Sequence, residues 1–142
     1  MQERGVDMLT NASITIFNKF PDQKSRKFIY VPHYIEHVWF HKDQKISIAS
    51  GGMTSADAVK VRIPVSECEN WVDEAAFVDL IEPGESWTVQ DKDFFILGGW
   101  TGGPVSDLSE LKNGYPGEVW TILSHSENFF GSSKHIRIGG GV

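Results

Sequence analysis

Ala58-Val59-Lys60-Val61-Arg62-Ile63-Pro64-Val65 decides how the chain is read. Val59, Val61, Ile63 and Val65 alternate with Lys60, Arg62 and Pro64, a period of two with β-branched residues on one side. Successive side chains of a strand point to opposite faces, so the segment predicts one dry face and one basic, wetted face. Pro64 cannot donate to a ladder, so the strand ends there or lies at an edge. A half-wet strand belongs to an antiparallel sheet, and the rest of the chain must supply strands that bury its dry side.

The flanking sequence supplies them. Ser13–Phe17 alternates and predicts a first strand, and the polar stretch Asn18–Ser25 carries a turn signal at Pro21-Asp22. Phe28–Val31 predicts a second strand, broken or bent at Pro32, with extended chain from Tyr34 to His41. Lys42-Asp43-Gln44 predicts a turn into a strand at Ile46–Ile48, and Gly51-Gly52 a flexible connection. Downstream, Trp87–Val89 and Phe94–Leu97 predict a hairpin around a tight turn at Gln90–Asp93. Glu118–Ser124 and Lys134–Ile138 predict the last two strands. Helical signals are short. Asp73 heads one or two turns within Asn70–Ile81, and Ser106 or Asp107 caps a helix through Lys112, with Glu110 completing a capping box. The expected fold is all-β, a small antiparallel barrel or sandwich with one or two short helices. One domain spans 1–142, with flexible tails at 1–10 and 139–142 and a mobile loop at 98–104 that presents Trp100.

Composition fits this reading. The chain has 142 residues, 40% hydrophobic, 12% aromatic, with 14 glycines, which favours turn-rich β structure. No apolar run approaches the ~20 residues of a membrane-spanning helix. Met1–Asp7 lacks a signal pattern, which predicts a reducing compartment. The single cysteine, Cys68, excludes an internal disulfide. Its neighbours Glu67 and Glu69 would raise a thiol pKa, which argues against a nucleophile. A net charge of −6 argues against general nucleic-acid binding. Lys19, Lys24, Arg26 and Lys27 form a local basic exception, a solvated hairpin tip or a contact to an acidic partner.

Three patterns suggest chemistry. His33, His37 and His41 fall at i, i+4 and i+8, the spacing of helical metal ligands. Their neighbours Tyr34, Ile35, Val38, Trp39 and Phe40 specify a strand, where four residues span roughly 13 Å, so a shared metal is not expected. Ser124-His125-Ser126-Glu127 contains triad residue types without a nucleophile elbow, so it is read as a polar strand end. The glycine runs at 98–103 and 139–141 lack the context of a phosphate loop. Asp73, Glu74, Asp91 and Asp93 are read as turn and capping carboxylates. No catalytic residue, metal or cofactor is expected.

The order of several segments resembles a family of small structural proteins of tailed bacteriophages and prophages, encoded between the major capsid and the tail tube. The carrying stretches are Leu9–Asn18, Val38–Phe40, Ala56–Pro64, Trp87–Phe94, Asp107-Leu108, Trp120–Ile122 and Gly131–His135. The His33–His41 segment and the Gly98–Gly103 loop depart from the pattern. The resemblance implies a non-enzymatic minor capsid or head–tail connector subunit in the virion, a β-barrel that closes a ring under the portal. Its partners would be its own copies and portal, adaptor and tail proteins, with DNA only passing through the channel and no membrane. Partner contacts are expected at Lys24, Arg26, Lys27 and Trp100. Capsid decoration and tail termination are alternative positions in the same particle. A metal-dependent barrel enzyme using His33, His37 and His41, or a sugar- or peptide-binding module using Trp39, Trp100 and Trp120, would be alternatives of another class.

Overall fold

A computed structural model describes residues 9–42 and 58–141. The predicted turn at 42–44, strand at 46–48 and Gly51-Gly52 connection lie outside the described residues, Lys42 excepted. Six antiparallel strands, β1 (Ala12–Asp22), β2 (Lys27–Lys42), β3 (Val59–Pro64), β4 (Phe94–Leu97), β5 (Trp120–Asn128) and β6 (His135–Gly141), close a barrel in the order β1-β2-β3-β6-β5-β4. Two short helices, α1 (Glu74–Val78) and α2 (Leu108–Gly114), lie between strands. The deciding stretch forms β3 as far as Pro64, while Val65, expected on the dry face, starts a 3₁₀ turn and is exposed. Val59, Val61 and Ile63 are buried, Arg62 stacks on Trp39 across the wet face at 4.7 Å, and the strand gives way to a 3₁₀ turn after Pro64.

The barrel interior is filled from every strand: Ile14 and Ile16, Ile35 and Val38, Val59, Val61 and Ile63, Phe95, Trp120 and Ile122, Ile136 and Ile138. β1 and β4 are buried on both faces. Phe17, Phe94 and Ile96 point outward and are covered by Val105, Leu111 and Val119 from the segment that carries α2. This two-sided burial explains the unbroken apolar run Phe94–Leu97. Both helix starts follow local chemistry. Asp73 accepts from the Ala76 N–H at 2.8 Å, and Asp107 accepts from the Glu110 N–H at 2.9 Å.

Four expectations are corrected. β2 runs through Pro32 without a break. Tyr30 spends its N–H and C=O on Val105 at the outer edge, and Pro32, two residues on, has the same orientation, so its missing N–H takes no bond from the β1 ladder. The irregularity lies instead at Glu36-His37, where a bulge lets both Ile35 and Val38 face the core. β1 also runs through Pro21 to end at Asp22, so the turn falls on residues 23–26. Trp87–Val89 and Phe94–Leu97 form no hairpin, because β4 pairs with β1 and β5 while Trp87 bridges Trp71. Finally, Gly139–Gly141 is no loose tail. It completes β6 between β3 and β5, and Gly140 lies under the Phe95 ring.

A Cβ at Gly140 would stand 2.9 Å from the Phe95 ring and 3.0 Å from Val59. Gly140→Ala is therefore expected to cost about 1–3 kcal/mol through overpacking. Urea unfolding checks this, and an unchanged midpoint would show that the interior has slack at this point.

Candidate functional site

The alternation Ile14, Ile16, Asn18, Phe20 places an amide at a position that faces the interior. Asn18 is buried, and its side chain mimics a strand edge: Nδ2 donates to the Thr88 carbonyl at 2.8 Å while Oδ1 accepts from the Thr88 N–H at 3.0 Å. Nδ2 also reaches Asp93 at 3.0 Å. The Asp93 carboxylate, only 2% exposed, further accepts from the Gln90 amide at 2.8 Å and the Lys19 N–H at 3.2 Å. Those donors favour the anion, but burial outweighs them and lifts the carboxyl from 3.8 to about 6.

Asp93 lies at the edge of a cleft of about 650 Å³, whose walls include Lys19, Phe28, Tyr30, Val78 and Gln90. Lys19 sits over the Phe28 ring at 4.5 Å. Glu74 and Asp91 border this cleft and continue to His125, whose Nε2 is 3.2 Å from Glu74 and 3.7 Å from Asp91. His125 Nδ1 faces Glu127 at 3.4 Å. The imidazole, 17% exposed, is carried by β5 and stands among three carboxylates at the start of α1. A second cavity of about 340 Å³ opens on its other side. A buried acid with a raised pKa beside a cleft is a common physical mark of a binding site.

The residues singled out in the sequence are distributed differently. His33, His37 and His41 do not converge. His33 stacks on Trp87 at 5.2 Å and burial holds its pKa down at about 4, His37 lies near Glu36, and His41 stacks on Trp39. Among the described residues no group of three or more His, Cys, Asp or Glu is arranged to hold a metal ion. Burial, with Glu67 as the lesser cause, pushes the Cys68 thiol up to about 12. Trp39, Trp100 and Trp120 share no surface, since Trp120 is buried beside Phe95 and Phe40.

Trp100 is not presented by a loose loop. Its indole packs edge-on against Phe17 at 5.9 Å and donates to the Gly103 carbonyl at 2.8 Å. A Cβ at Gly102 would stand 2.6 Å from this indole, so the glycines make room for the ring. Lys24, Arg26 and Lys27, in contrast, are all exposed at the β1–β2 tip. Asp22 organises the tip by accepting from the Ser25 hydroxyl at 2.7 Å and the Ser25 N–H at 3.2 Å. Arg26 has φ of 62°, a conformation that glycine or asparagine adopts at lower cost. Beyond Asn18 and before Pro32 the two strands pair only with each other, apart from the Tyr30–Val105 bridge, so the tip ends an arm.

Asn18, Asp93 and His125 escaped the sequence reading. Asp93 is a buried acceptor, not the turn carboxylate expected of it, whereas Asp73 does cap α1. The available signal was Asn18, a polar residue where the alternation calls for an apolar one.

Two stability contributions oppose each other between about pH 4 and 6. Asp93 keeps its proton in the fold after the unfolded chain has lost it, so its contribution is present below 3.8 and lost as pH rises through about 6. The change from 3.8 to about 6 is worth roughly 3 kcal/mol. His33 acts the other way, contributing fully above 6.5 and losing this as pH falls toward about 4. Urea unfolding across this window should give Asp93→Asn a steeper rise of stability with pH than the parent, and His33→Gln a fall. Parallel profiles would refute both assignments. Separately, Trp100→Ala should cost about 2–3 kcal/mol by emptying the space beside Phe17, measured by the same unfolding; a silent substitution would return Trp100 to the surface.

Comparison with known proteins adds the family and nothing finer. No curated protein and no solved structure matches the chain. Residues 9–141, which take in the whole barrel, both helices and both cavities, match the model described as a family of unknown function, DUF6751. The chain belongs to that family.

Proposed function

We propose that this chain is a non-enzymatic structural subunit of a tailed-phage particle, placed at the head–tail junction and assembling with its own copies and with portal and tail proteins. The observation that carries the reading is the β1–β2 arm. It extends from a closed barrel, ends in exposed Lys24, Arg26 and Lys27, and holds Arg26 in a conformation that would favour another residue. Backbone strain retained at an exposed tip points to a side chain that is needed there. Phe28, 56% exposed beside the tip, adds an apolar contact of the kind that orders on association. The resemblance in segment order supplies the particle, and a ring subunit needs two unlike, complementary faces of this kind.

A second reading, a small-ligand module, draws on the 650 Å³ cleft and its buried Asp93. It leaves the strained arm without a role and is the weaker account.

Replacing Lys24, Arg26 and Lys27 together by alanine tests the proposal. The triple variant should melt with the parent, since all three side chains are exposed. It should fail to form the ring-sized species, or the complex with portal protein, that light scattering detects for the parent. A phage carrying the variant should yield heads without tails. Normal particles from the variant, or a parent chain that stays monomeric and ignores portal, would overturn the reading.

A further inference from the structure

Alternation along β3 turns Lys60 and Arg62 outward while Val59, Val61 and Ile63 fill the core. The ladder carries this outward set across four strands. Trp39 on β2 faces Arg62 on β3, Arg62 faces Arg137 on β6, and Arg137 faces Ser126 on β5. A neighbouring row holds His41, Lys60 and Gly139. Adjacent strands lie about 4.8 Å apart, so the first row is a polar band roughly 14 Å wide on the outside of the barrel.

Two arginines set directly opposite each other work against the fold. Like charges facing across a ladder repel, whereas an acid at either position would attract. Arg62 is exposed, and Lys60 and Arg137 are half-buried. Among the described residues, no carboxylate stands within ion-pair distance of any of the three. Glu127, the neighbour of Ser126 on β5, turns to His125 at 3.4 Å instead. Lys42, at the end of β2, does find an acid, Glu118 at 2.6 Å. Acids outnumber bases in this chain, 19 to 13, yet this face carries three cations that none of them balances. The imbalance marks a place for an anion.

The face also limits what the anion is. Trp39 is already packed by Arg62 at 4.7 Å and by His41 at 5.7 Å, so it braces the cations and gives a partner no apolar anchor. A protein interface is built on such an anchor, and no aliphatic side chain stands in these two rows. A phosphate backbone needs only cations at regular spacing, and each guanidinium fork takes two of its oxygens. We infer that the outer face of β2, β3 and β6 binds the phosphate backbone of nucleic acid through Lys60, Arg62 and Arg137. The inference stands on this face alone; under the assembly proposed above, the same face would turn to the DNA channel. The acidic balance of the chain does not forbid it, since salt at 0.1 M screens exposed charges beyond about 10 Å and leaves the local cations to act at contact. Three phosphate contacts make binding weak, indifferent to sequence and dependent on salt.

The probe is a fluorescently labelled DNA duplex of random sequence, titrated with the full chain and read by anisotropy at several salt concentrations. Affinity should fall with salt at a log–log slope of about −3, the sum of three phosphate contacts. Arg62→Gln with Arg137→Gln should weaken binding roughly tenfold or more at low salt and flatten the slope by about 2. Replacing Lys24, Arg26 and Lys27 by alanine should leave binding as in the parent, which separates this face from the hairpin tip. Arg137→Gln alone should hold or raise the melting temperature by removing a like-charge pair. A marked fall would mean that the pair serves the fold and would overturn the inference. So would the absence of binding at low salt, or binding that survives Arg62→Gln with Arg137→Gln and disappears with the tip. Light scattering covers the other occupant. If the double substitution lowers the mass of a self-associated chain and leaves DNA binding unchanged, the face belongs to an acidic protein surface and the inference fails. Salt-dependent DNA binding by a chain that ignores portal protein would refute the phage assignment and leave this face standing.

Discussion

The pair of hydrogen bonds between the Asn18 carboxamide and the Thr88 peptide is the constraint on which the rest of the structure leans. A barrel strand normally meets its neighbour backbone to backbone, and here β1 outruns its partner β4, which pairs only with Ile14 to Phe17. The next position would leave a buried peptide at Thr88 unpaired, a cost of about 1–3 kcal/mol for each group. An amide side chain presents a donor and an acceptor side by side with the spacing of a peptide, and its second N–H is left for Asp93, so Asn18 extends the sheet by one residue without another strand. Neither aspartate nor leucine could do this. The carboxylate lacks the donor and the aliphatic chain lacks both.

From that point the polar network spreads outward and shapes the cavities. Asn18 also donates to Asp93, and Lys19 and Gln90 add donors from two directions, so the segment 88–93 is tied to β1 along its length. The same segment sets Asp93 beside one cavity and Thr88 beside the other, with Glu74 bordering both. A buried, fully donated carboxylate is a rigid feature. It fixes the cleft's geometry even though desolvation makes its charge costly, and that tension is the origin of its raised pKa.

What the sequence disclosed and what it hid divide along the range of the interactions. The alternation through Val59, Val61 and Ile63, and the caps Asp73 and Asp107, act within a few residues and were legible. The all-β class followed from them, and the closed barrel bears it out. Pro32 was misread because whether a proline interrupts a strand depends on which edge its nitrogen faces, and the bridge from Tyr30 to Val105 that sets this spans distant sequence. Gly139–Gly141 and the glycines around Trp100 look like flexible chain in sequence, yet each run makes room for a ring, Phe95 or the Trp100 indole. Glycine reports small volume and backbone freedom alike, and only packing tells which is being used. The His125 group was hidden because its carboxylates come from α1, the 91–92 turn and β5, which nothing short of the closed barrel brings together.

The placement of charge then gives the fold a direction. Lys24, Arg26 and Lys27 cap the arm, while Glu74, Asp91 and Glu127 gather around His125. Phe20 packs on Phe77 of α1 at 5.4 Å, which ties the base of the arm to the helix that carries Glu74. Opposite charges held apart on a rigid frame cannot neutralise each other within one chain. Under the proposed self-assembly the same frame would offer both halves of a complementary contact, and because the halves differ, repeated use of the contact would propagate from copy to copy unless the geometry closed it. A twofold arrangement would satisfy both clusters at once and end at a dimer. A ring would satisfy each cluster with a different neighbour.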